Sequence, residues 1–345
     1  MKVLQVASSL HDWGGIERYV HYLANGLTAR GHEVLVACPP GSPLDRKLEV
    51  PKIPITMRGK YNPLSALPYL LLFRQRRFDV VHIHFSPDFQ MPAWAAKRTR
   101  QGFVVMTRHV SLPWPAKKVR AYTRLFDHFI PVSDSVRRRL EESGIPPDRM
   151  TVAKAGVPAL EPTRPVDEIR REFGFSGFVV GSFGRLVPEK GTRVLVDAAE
   201  ACKAPMTVAV FGDGPERKAL QESAGANVRF FGQIESVANA MSAVDVVAIP
   251  SVWEEAFPYS ALEAMSLGRP IIGANVGGMP EMLEPGRNGF LFERGSFVDL
   301  AAKIDRLAAD PALRESMGDE GRSLHRREYT VARMAERIEA VYRSG

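Results

Sequence analysis

Two cationic side chains stand in a glycine-rich segment of the second half of the chain. Arg185 and Lys190 lie in Gly184-Arg-Leu-Val-Pro-Glu-Lys-Gly191, which follows an apolar strand pattern and opens a helical one. At the carboxyl edge of a parallel sheet, two cations and the unpaired N–H groups of a helix N-terminus would neutralise a diphosphate. The segment therefore predicts a diphosphate site; a pair of solvated loop charges is the alternative.

Two glutamates eight positions apart form the second chemical signal. Glu255 and Glu263 lie in Ser251-Val-Trp-Glu-Glu-Ala-Phe-Pro-Tyr-Ser-Ala-Leu-Glu-Ala-Met265. Because Pro258 suits the first helical turn, we expect Glu255 in the loop before a helix and Glu263 inside it, about 7.5 Å beyond Pro258 along the axis. Two such carboxylates could have separate roles, one beside a reacting centre and the other accepting hydrogen bonds from the two hydroxyls of a ribose. A solvated position is the alternative for Glu263, but its apolar neighbours would make an unpartnered carboxylate costly.

The first half of the chain carries weaker signals. Gly14 and Gly15 precede the first helical pattern, where glycine lets backbone N–H groups approach an anion; a plain turn is the alternative. His82 and His84 alternate along a strand pattern and so share one face, which raises the question of a metal site. We expect none, because no third ligand has suitable spacing and no Asp-x-Asp motif is present.

Short apolar runs alternate with helical patterns along the whole chain, and this alternation predicts an α/β protein with parallel sheets. The runs that predict strands are Val3–Ala7, Val34–Cys38, Val80–Phe85, Phe103–Thr107, Phe129–Val132, Phe178–Phe183, Met206–Phe211, Val228–Phe231, Val244–Ile249 and Pro270–Gly273. Three prolines within residues 156–165 interrupt the pattern. We therefore expect two doubly wound, Rossmann-like domains facing a central cleft, with ligands bound beyond the carboxyl ends of their strands.

The composition excludes several classes of protein. The 345 residues are 45% hydrophobic and 25% charged, which is enough chain for two globular cores. Cys38 and Cys202 form no cysteine motif, so they indicate a reducing compartment rather than a disulfide scaffold or a zinc ribbon. The longest apolar stretch, Leu64–Phe73, is shorter than the roughly 18–20 residues that a membrane span needs, and the N-terminal apolar run is too short for a signal peptide.

Positive charge is concentrated in the first half. Residues 1–160 carry 24 Lys and Arg against 12 Asp and Glu, whereas residues 161–345 carry 22 against 27. This asymmetry predicts that the first domain faces something anionic. The sequence pI of about 9.5 raises the question of a nucleic-acid binder. We expect no nucleic-acid partner, because the sequence has no recognisable recognition helix, zinc finger or aromatic RNA platform.

One basic segment also contains aromatic side chains. It runs from Trp114 through Lys117, Lys118 and Arg120 to Arg124. Such a mixture is typical of helices that lie at a membrane interface. We expect this segment to contact an acceptor or an anionic membrane; a solvated amphipathic helix is the alternative.

Several short motifs follow one another along residues 1–295. They are Gly14-Gly15, Gly184-Arg185-x4-Lys190-Gly191, Gly212-Asp-Gly-Pro215, Glu255-x7-Glu263, Gly277-Gly-Met-Pro-Glu281 and Gly289-Phe-Leu291. Together, and in this order, they resemble the retaining glycosyltransferases of family 4, which have the GT-B fold. Two positions depart from that family: Ala256 replaces a usual glycine, and Lys154-Ala-Gly-Val157 lacks an asparagine that often precedes Gly-Val. Neither change removes a phosphate or carboxylate ligand.

The resemblance implies a nucleotide-sugar site. Arg185 and Lys190 would hold the diphosphate of the donor and stabilise it as a leaving group, with Gly15 close to the phosphate from the other domain. Because these cations and a helix dipole can neutralise the diphosphate, no metal ion or other cofactor is expected.

The resemblance also implies which residues hold the transferred sugar. Glu255, with the backbone near Phe257 and Pro258, would bind the donor sugar, and Glu263 would bind the ribose hydroxyls. His109, which follows a strand of the first domain, matches a histidine that the family often places near the transferred sugar. Glu255 and His109 are therefore the expected catalytic residues.

The resemblance assigns a part of the reaction to each region. Residues 1–160 would form the acceptor-side domain and residues 161–328 the nucleotide-sugar-binding domain. Residues 329–345 would form a helix that crosses back to the first domain.

The expected reaction is metal-independent transfer of a hexose-type sugar, with retention, from a nucleoside-diphosphate sugar to a hydroxyl. We favour UDP over GDP as the donor nucleotide and a lipid-linked or lipopolysaccharide-type glycan as the acceptor. The expected location is the cytoplasm, with peripheral contact at the inner face of the cytoplasmic membrane. The alternatives are a soluble acceptor, a non-catalytic member of a glycan-assembly complex, and a two-carboxylate hydrolase, which would have no use for Arg185 and Lys190.

Overall fold

The chain forms two compact units built on parallel sheets. The computed structural model describes residues 1–7, 13–56, 62–84 and 90–345. Residues 1–156 and 330–345 form the first unit, and residues 157–329 form the second. Each unit contains one six-stranded sheet whose neighbouring strands are all parallel. The predicted α/β class with two parallel sheets is confirmed.

The first sheet has the spatial order β3-β2-β1-β4-β5-β6. Its strands are β1 Lys2–Val6, β2 Glu33–Cys38, β3 Lys52–Pro54, β4 Val80–Ile83, β5 Phe103–Arg108 and β6 His128–Pro131. Val3 of β1 pairs with Val34 on one side and Val80 on the other, so the apolar residues of three strands lie in register. Phe85, the end of one predicted strand, lies outside the described residues. The strand order reverses between β1 and β4, which is where a doubly wound sheet binds ligands.

The helices of the first unit begin where the sequence supplies caps. They are α1 Gly15–Ala29, α2 Pro43–Lys47, α3 Leu67–Gln75, α4 Met91–Arg98, α5 Ala116–Leu125 and α6 Asp134–Glu142. Glu17 in the first turn of α1 accepts the N–H of Gly14 at 2.9 Å, and Ser133 caps α6 through the N–H of Val136. These side chains satisfy N–H groups that lack a partner within the helix.

The second sheet has the order β12-β11-β10-β7-β8-β9. Its strands are β7 Phe178–Phe183, β8 Met206–Phe211, β9 Val228–Gly232, β10 Val246–Ile249, β11 Ile271–Ala274 and β12 Gly289–Phe292. Its helices are α7 Val166–Glu172, α8 Thr192–Ala201, α9 Arg217–Ser223, α10 Val237–Ser242, α11 Tyr259–Ser266, α12 Phe297–Ala309 and α13 Pro311–Glu328. Valine, leucine and isoleucine side chains from both strands and helices form its core. The order of this sheet reverses between β7 and β10.

The last helix, α14 (Val331–Tyr342), packs in the first unit against α1. Its buried Glu339 accepts a hydrogen bond from Arg30 at 2.5 Å and another from Arg343. These two guanidinium groups lower the pKa of Glu339 to about 2. In the second unit, the N–H of Val157 donates to the carbonyl of Tyr329 at 2.9 Å, so the first and last residues of that unit are joined.

Among the described residues, no helix is both long enough and apolar enough to cross a membrane.

Candidate functional site

The loops that follow β7 and β10 carry the residues with the strongest chemical signals. Arg185 and Lys190 lie after β7, and Glu255 lies after β10. Because β7 and β10 are paired neighbours at the reversal of the second sheet, their carboxyl ends lie side by side. The N–H of Val252 donates to the carbonyl of Glu189 at 3.0 Å, which ties the two loops together. The site therefore lies where a doubly wound sheet is open to a ligand.

Two glycines allow the loops to approach this closely. Gly191 has a positive φ of 64°, and a Cβ there would lie 2.1 Å from the carbonyl oxygen of Pro250. Gly277 has a φ of 56°, and a Cβ there would lie 2.2 Å from the carbonyl oxygen of Glu255. The N–H of Gly278 donates to that same carbonyl at 2.8 Å. Any larger residue at either glycine would push Glu255 and Lys190 out of place.

Lys190 and Glu255 face each other in a small cavity that Arg185 also lines. The Lys190 Nζ lies 2.9 Å from Glu255 Oε1, and the Ser251 hydroxyl donates to the same carboxylate oxygen. Arg185 is exposed, and the structure records no ion pair or side-chain hydrogen bond between it and any other described residue. Since Lys190 and Glu255 neutralise each other, the guanidinium of Arg185 leaves the cavity with a net positive charge. The cavity is therefore suited to an anion.

Hydroxyl groups in the cavity were missed from the sequence. Thr192 and Ser260 line it together with Ser251. Their positions offered a signal: Thr192 and Ser260 stand at the starts of α8 and α11, and Ser251 lies four positions before Glu255. Hydroxyls at helix starts can donate to an anion alongside the backbone N–H groups.

Three other predicted site residues, Phe257, Pro258 and Glu263, do not line this cavity. Pro258 is the N-cap of α11, one position earlier than the predicted first turn, because its ψ of 124° is extended. The Phe257 ring is buried and contacts the Tyr329 ring, with centroids 5.6 Å apart, so the ring packs inside the second unit. Glu263 is 4% exposed, which excludes the alternative of a solvated position.

Gly15 and His109 belong to the first unit. Gly15 is exposed at the first turn of α1, where N–H groups lack helical partners. His109 directly follows β5, and its ring contacts the Tyr19 ring edge to face, with centroids 4.7 Å apart. Its Nε2 is buried, and none of the described residues provides a hydrogen-bond partner for it. Burial, with Arg108 nearby, lowers the pKa of His109 to about 3, so its imidazole is neutral at ordinary pH.

His82 and His84 lie beside each other with their rings tilted by 39° and ring centroids 3.9 Å apart, on one face as their alternation predicted. Both ring nitrogens of His82 are engaged, Nδ1 by the Tyr342 hydroxyl and Nε2 by the Thr107 hydroxyl, each at 2.6 Å. The described residues contain no group of three His, Cys, Asp or Glu side chains that could hold a metal ion. This histidine pair is therefore part of a buried polar cluster under α14.

The buried histidines predict acid sensitivity. Burial lowers the pKa values of His82, His84 and His109 in the folded protein, so only the unfolded chain takes up their protons as the pH falls below about 6.5. The free energy of unfolding should therefore fall as the pH is lowered from 7.5 to 5, each histidine adding up to about 1.4 kcal/mol per pH unit. Denaturant unfolding across this range measures the slope, and His84→Gln should make it shallower. Equal slopes for the two proteins would contradict this prediction. The pKa of Glu339, also lowered, acts at a lower pH and does not interfere.

The structure corrects the role expected for Trp114. This residue is 5% exposed, and its ring contacts those of Tyr122 and Phe129 inside the first unit. Lys118 lies over the Trp114 and Tyr122 rings as a cation–π partner. The aromatic residues of this segment complete the core, because α5 needs an apolar face to pack. Lys117, Arg120 and Arg124 remain exposed on α5.

Comparison with known proteins finds matches along most of the chain. The family model described as "Glycosyl transferases group 1" matches residues 177–310, and the model "Glycosyltransferase Family 4" matches residues 13–159. A phosphatidyl-myo-inositol mannosyltransferase of Mycobacterium leprae is 27% identical, over 95% of this chain and 92% of that protein. The lipopolysaccharide core biosynthesis glycosyltransferase LpsD of Rhizobium meliloti is 28% identical, over 93% of this chain and 92% of that protein.

Solved structures show a similar fold. HepE of Anabaena, crystallised in complex with UDP, superposes with a TM-score of 0.89 at 24% identity, covering 100% of both chains. At this identity the likeness bears on the fold alone, which is that of the GT-B glycosyltransferases.

Proposed function

The chain belongs to the family 4 glycosyltransferases, and on that premise we propose that it transfers a hexose-type sugar from a UDP-sugar with retention. The proposed acceptor is a hydroxyl of a lipid-linked or lipopolysaccharide-type glycan. The observation that carries this proposal is the Arg185, Lys190 and Glu255 cavity beside the β7 and β10 ends. A nucleoside diphosphate is the leaving group in such a reaction, and a cavity with one unpaired guanidinium meets its charge.

The ion pair between Lys190 and Glu255 gives the site two states. Without donor, the ammonium group is neutralised by the carboxylate 2.9 Å away. When a diphosphate enters, Lys190 turns to it and Glu255 is released to accept hydrogen bonds from sugar hydroxyls. Arg185 adds a bidentate hydrogen-bonded contact to the diphosphate, so the negative charge that develops on the leaving group is stabilised without a metal ion.

The remaining predicted residues complete the proposal. Glu263 binds the ribose hydroxyls, and the backbone near Phe257 and Pro258 holds the sugar. Gly15 donates its backbone N–H to the phosphate, and His109 contacts the transferred sugar. The neutral imidazole of His109 suits that role, because it offers a hydrogen bond without adding a charge that would compete for the diphosphate.

UDP over GDP as the donor nucleotide is our expectation from the sequence, because the likeness to HepE bears on the fold alone. The acceptor class is inferred from the relatives. One relative is named as a phosphatidyl-myo-inositol mannosyltransferase and another as a lipopolysaccharide core biosynthesis glycosyltransferase, and these names support a lipid-linked or lipopolysaccharide-type acceptor. The basic first half of the chain fits an anionic acceptor of this kind, met at the inner face of the cytoplasmic membrane.

A panel of nucleoside diphosphates tests the donor site. We expect UDP to raise the unfolding temperature more than GDP, ADP, CDP or dTDP, since a ligand bound only by the folded state adds about 2.7 kcal/mol of stability at a hundred times its Kd. The corresponding UDP-sugars, incubated with a candidate glycan, should release UDP only when acceptor is present. Stabilisation by GDP alone would replace the proposed donor. A lack of stabilisation by any member at millimolar concentration would contradict the cavity's assignment.

A further inference from the structure

A long part of the first unit is almost free of negative charge. Between Glu49 and Asp127 the sequence contains 14 Lys and Arg, and only Asp79 and Asp88 oppose them. This stretch includes α3, α4 and α5. Carboxylates outside the stretch pair with two of these cations, Asp45 with Lys52 and Asp127 with Lys97. The described residues offer no such partner to Lys117, Arg120 and Arg124 on α5, so their positive field is not cancelled locally.

An apolar stripe crosses the exposed side of α3. Leu64, in a single helical turn that runs into α3, is 58% exposed, and Leu67 and Leu71 are 51% and 48% exposed. Their spacing of three and four residues places them in one row along the helix. On the opposite side of α3, Tyr69, Leu72 and Phe73 are buried in the core, so the exposed leucines are not needed for packing the helix. Large apolar side chains exposed in a contiguous row mark an interaction surface.

Helix α4 lies between α3 and α5 and contacts both. Its Trp94 is 45% exposed, and Arg98, one turn later, is exposed beside it. On α5, Lys117, Arg120 and Arg124 are spaced three and four residues apart and form an exposed cationic row. The three helices thus present leucines, a tryptophan and a row of cations on neighbouring elements.

We propose that the exposed residues of α3, α4 and α5, here called the α3–α5 face, bind the surface of an anionic lipid bilayer. The leucines and Trp94 enter the boundary between headgroups and acyl chains, where an indole ring with one polar edge is favoured. The cationic row of α5 meets the lipid phosphates. This surface differs from the one expected around Trp114, because Trp94 is the exposed tryptophan and Trp114 is buried.

Charge favours a bilayer over other occupants. A second copy of the chain would bring an equally basic surface against this one, and like charges brought together oppose association. The cations could bind the phosphates of a nucleic acid, but a nucleic acid has no apolar layer into which three leucines and a tryptophan could insert. An anionic lipid surface matches both the exposed apolar residues and the cationic row of the α3–α5 face. This inference does not depend on the donor or on the chemistry of the second unit.

Flotation of the full-length protein with vesicles tests the proposal. We expect binding at low salt to vesicles of phosphatidylcholine mixed with phosphatidylglycerol, and little to phosphatidylcholine alone. Replacing the α5 row (Lys117→Gln, Arg120→Gln, Arg124→Gln) should lower the partition coefficient by on the order of a hundredfold. Leu67→Ser with Leu71→Ser should lower it about tenfold or more.

A matched control lies in the second unit. Phe297 and Val298 are 42% and 63% exposed on α12, but Asp299 follows them directly and Glu293 lies four positions before Phe297. Phe297→Ser with Val298→Ser should leave vesicle binding unchanged. Every variant is first checked for an unchanged unfolding temperature and an unchanged stabilisation by UDP, so that a failure at the membrane is separate from a failure of the donor site.

Two outcomes would overturn the proposal. One is the absence of binding to the mixed vesicles at low salt. The other is a concentration-dependent dimer, seen by sedimentation without lipid and abolished by Leu67→Ser with Leu71→Ser, which would make the α3–α5 face an interface between copies.

Discussion

Replacing Glu255 with Gln should lower kcat/KM for sugar transfer by about 100-fold or more while the protein stays folded. The amide has nearly the same shape and can still accept from Ser251. It lacks the charge that holds Lys190 at 2.9 Å, and it is a weaker acceptor for the sugar hydroxyls. Acceptor-dependent release of nucleoside diphosphate measures the rate, and thermal unfolding checks the fold.

Glu254→Gln is the matched control for this substitution. Glu254 lies in the same loop but does not line the cavity. The control should keep near wild-type transfer. If Glu255→Gln transferred sugar as fast as Glu254→Gln, Glu255 would have no part in the reaction.

Arg185→Ala should abolish stabilisation by UDP and reduce kcat/KM by about 100- to 1,000-fold. The guanidinium of Arg185 is the cation of the cavity that the described residues leave unpaired. Without it, the cavity keeps only Lys190 as a cation, and Glu255 neutralises Lys190. Arg185→Lys should recover part of the binding, because it restores the charge without the two-pronged geometry. The UDP-induced change in unfolding temperature measures binding separately from turnover.

Arg193→Ala serves as the comparison for Arg185→Ala. Arg193 lies on α8 and is paired at 2.7 Å with Asp197, one helical turn away. Its loss should change neither UDP stabilisation nor transfer. An Arg185→Ala protein that responded to UDP as Arg193→Ala does would move the diphosphate site elsewhere.

The central strands were predictable because both of their faces are buried, and a strand buried on both faces appears in the sequence as a continuous apolar run. The bounds predicted for Phe178–Phe183 and Met206–Phe211 are those observed, and both strands lie inside the second sheet. Two of the four edge strands, β3 and β12, were not predicted as strands, whereas the other two, β6 and β9, were. An edge strand packs less and pairs on one side only, so Lys52–Pro54 needs just one interior isoleucine and tolerates a proline.

Part of the cavity was also predictable. The loops with Arg185, Lys190 and Glu255 were recognised because glycines, cations and a carboxylate follow apolar runs. The pairing of Lys190 with Glu255 was not, because it depends on β7 and β10 being neighbours, and no local pattern encodes which strands pair. The same limit explains Trp114: its sequence neighbours are basic, but its contacts come from Tyr122 and from Phe129 on β6.

The hydrogen bond between Val157 and Tyr329 also bears on how the chain acquires its structure. On a ribosome, residues 1–156 emerge without α14, which supplies Glu339 and Tyr342 to the first unit. The continuous stretch 157–329 has all of its own strands and can condense as a unit. Once it does, residues 156 and 330 are brought close together, since the hydrogen bond of 2.9 Å between the Val157 N–H and the Tyr329 carbonyl joins their chain neighbours. The entropy cost of docking α14 then falls to that of closing a short loop, so the inserted unit acts as an assembly aid for the one that surrounds it.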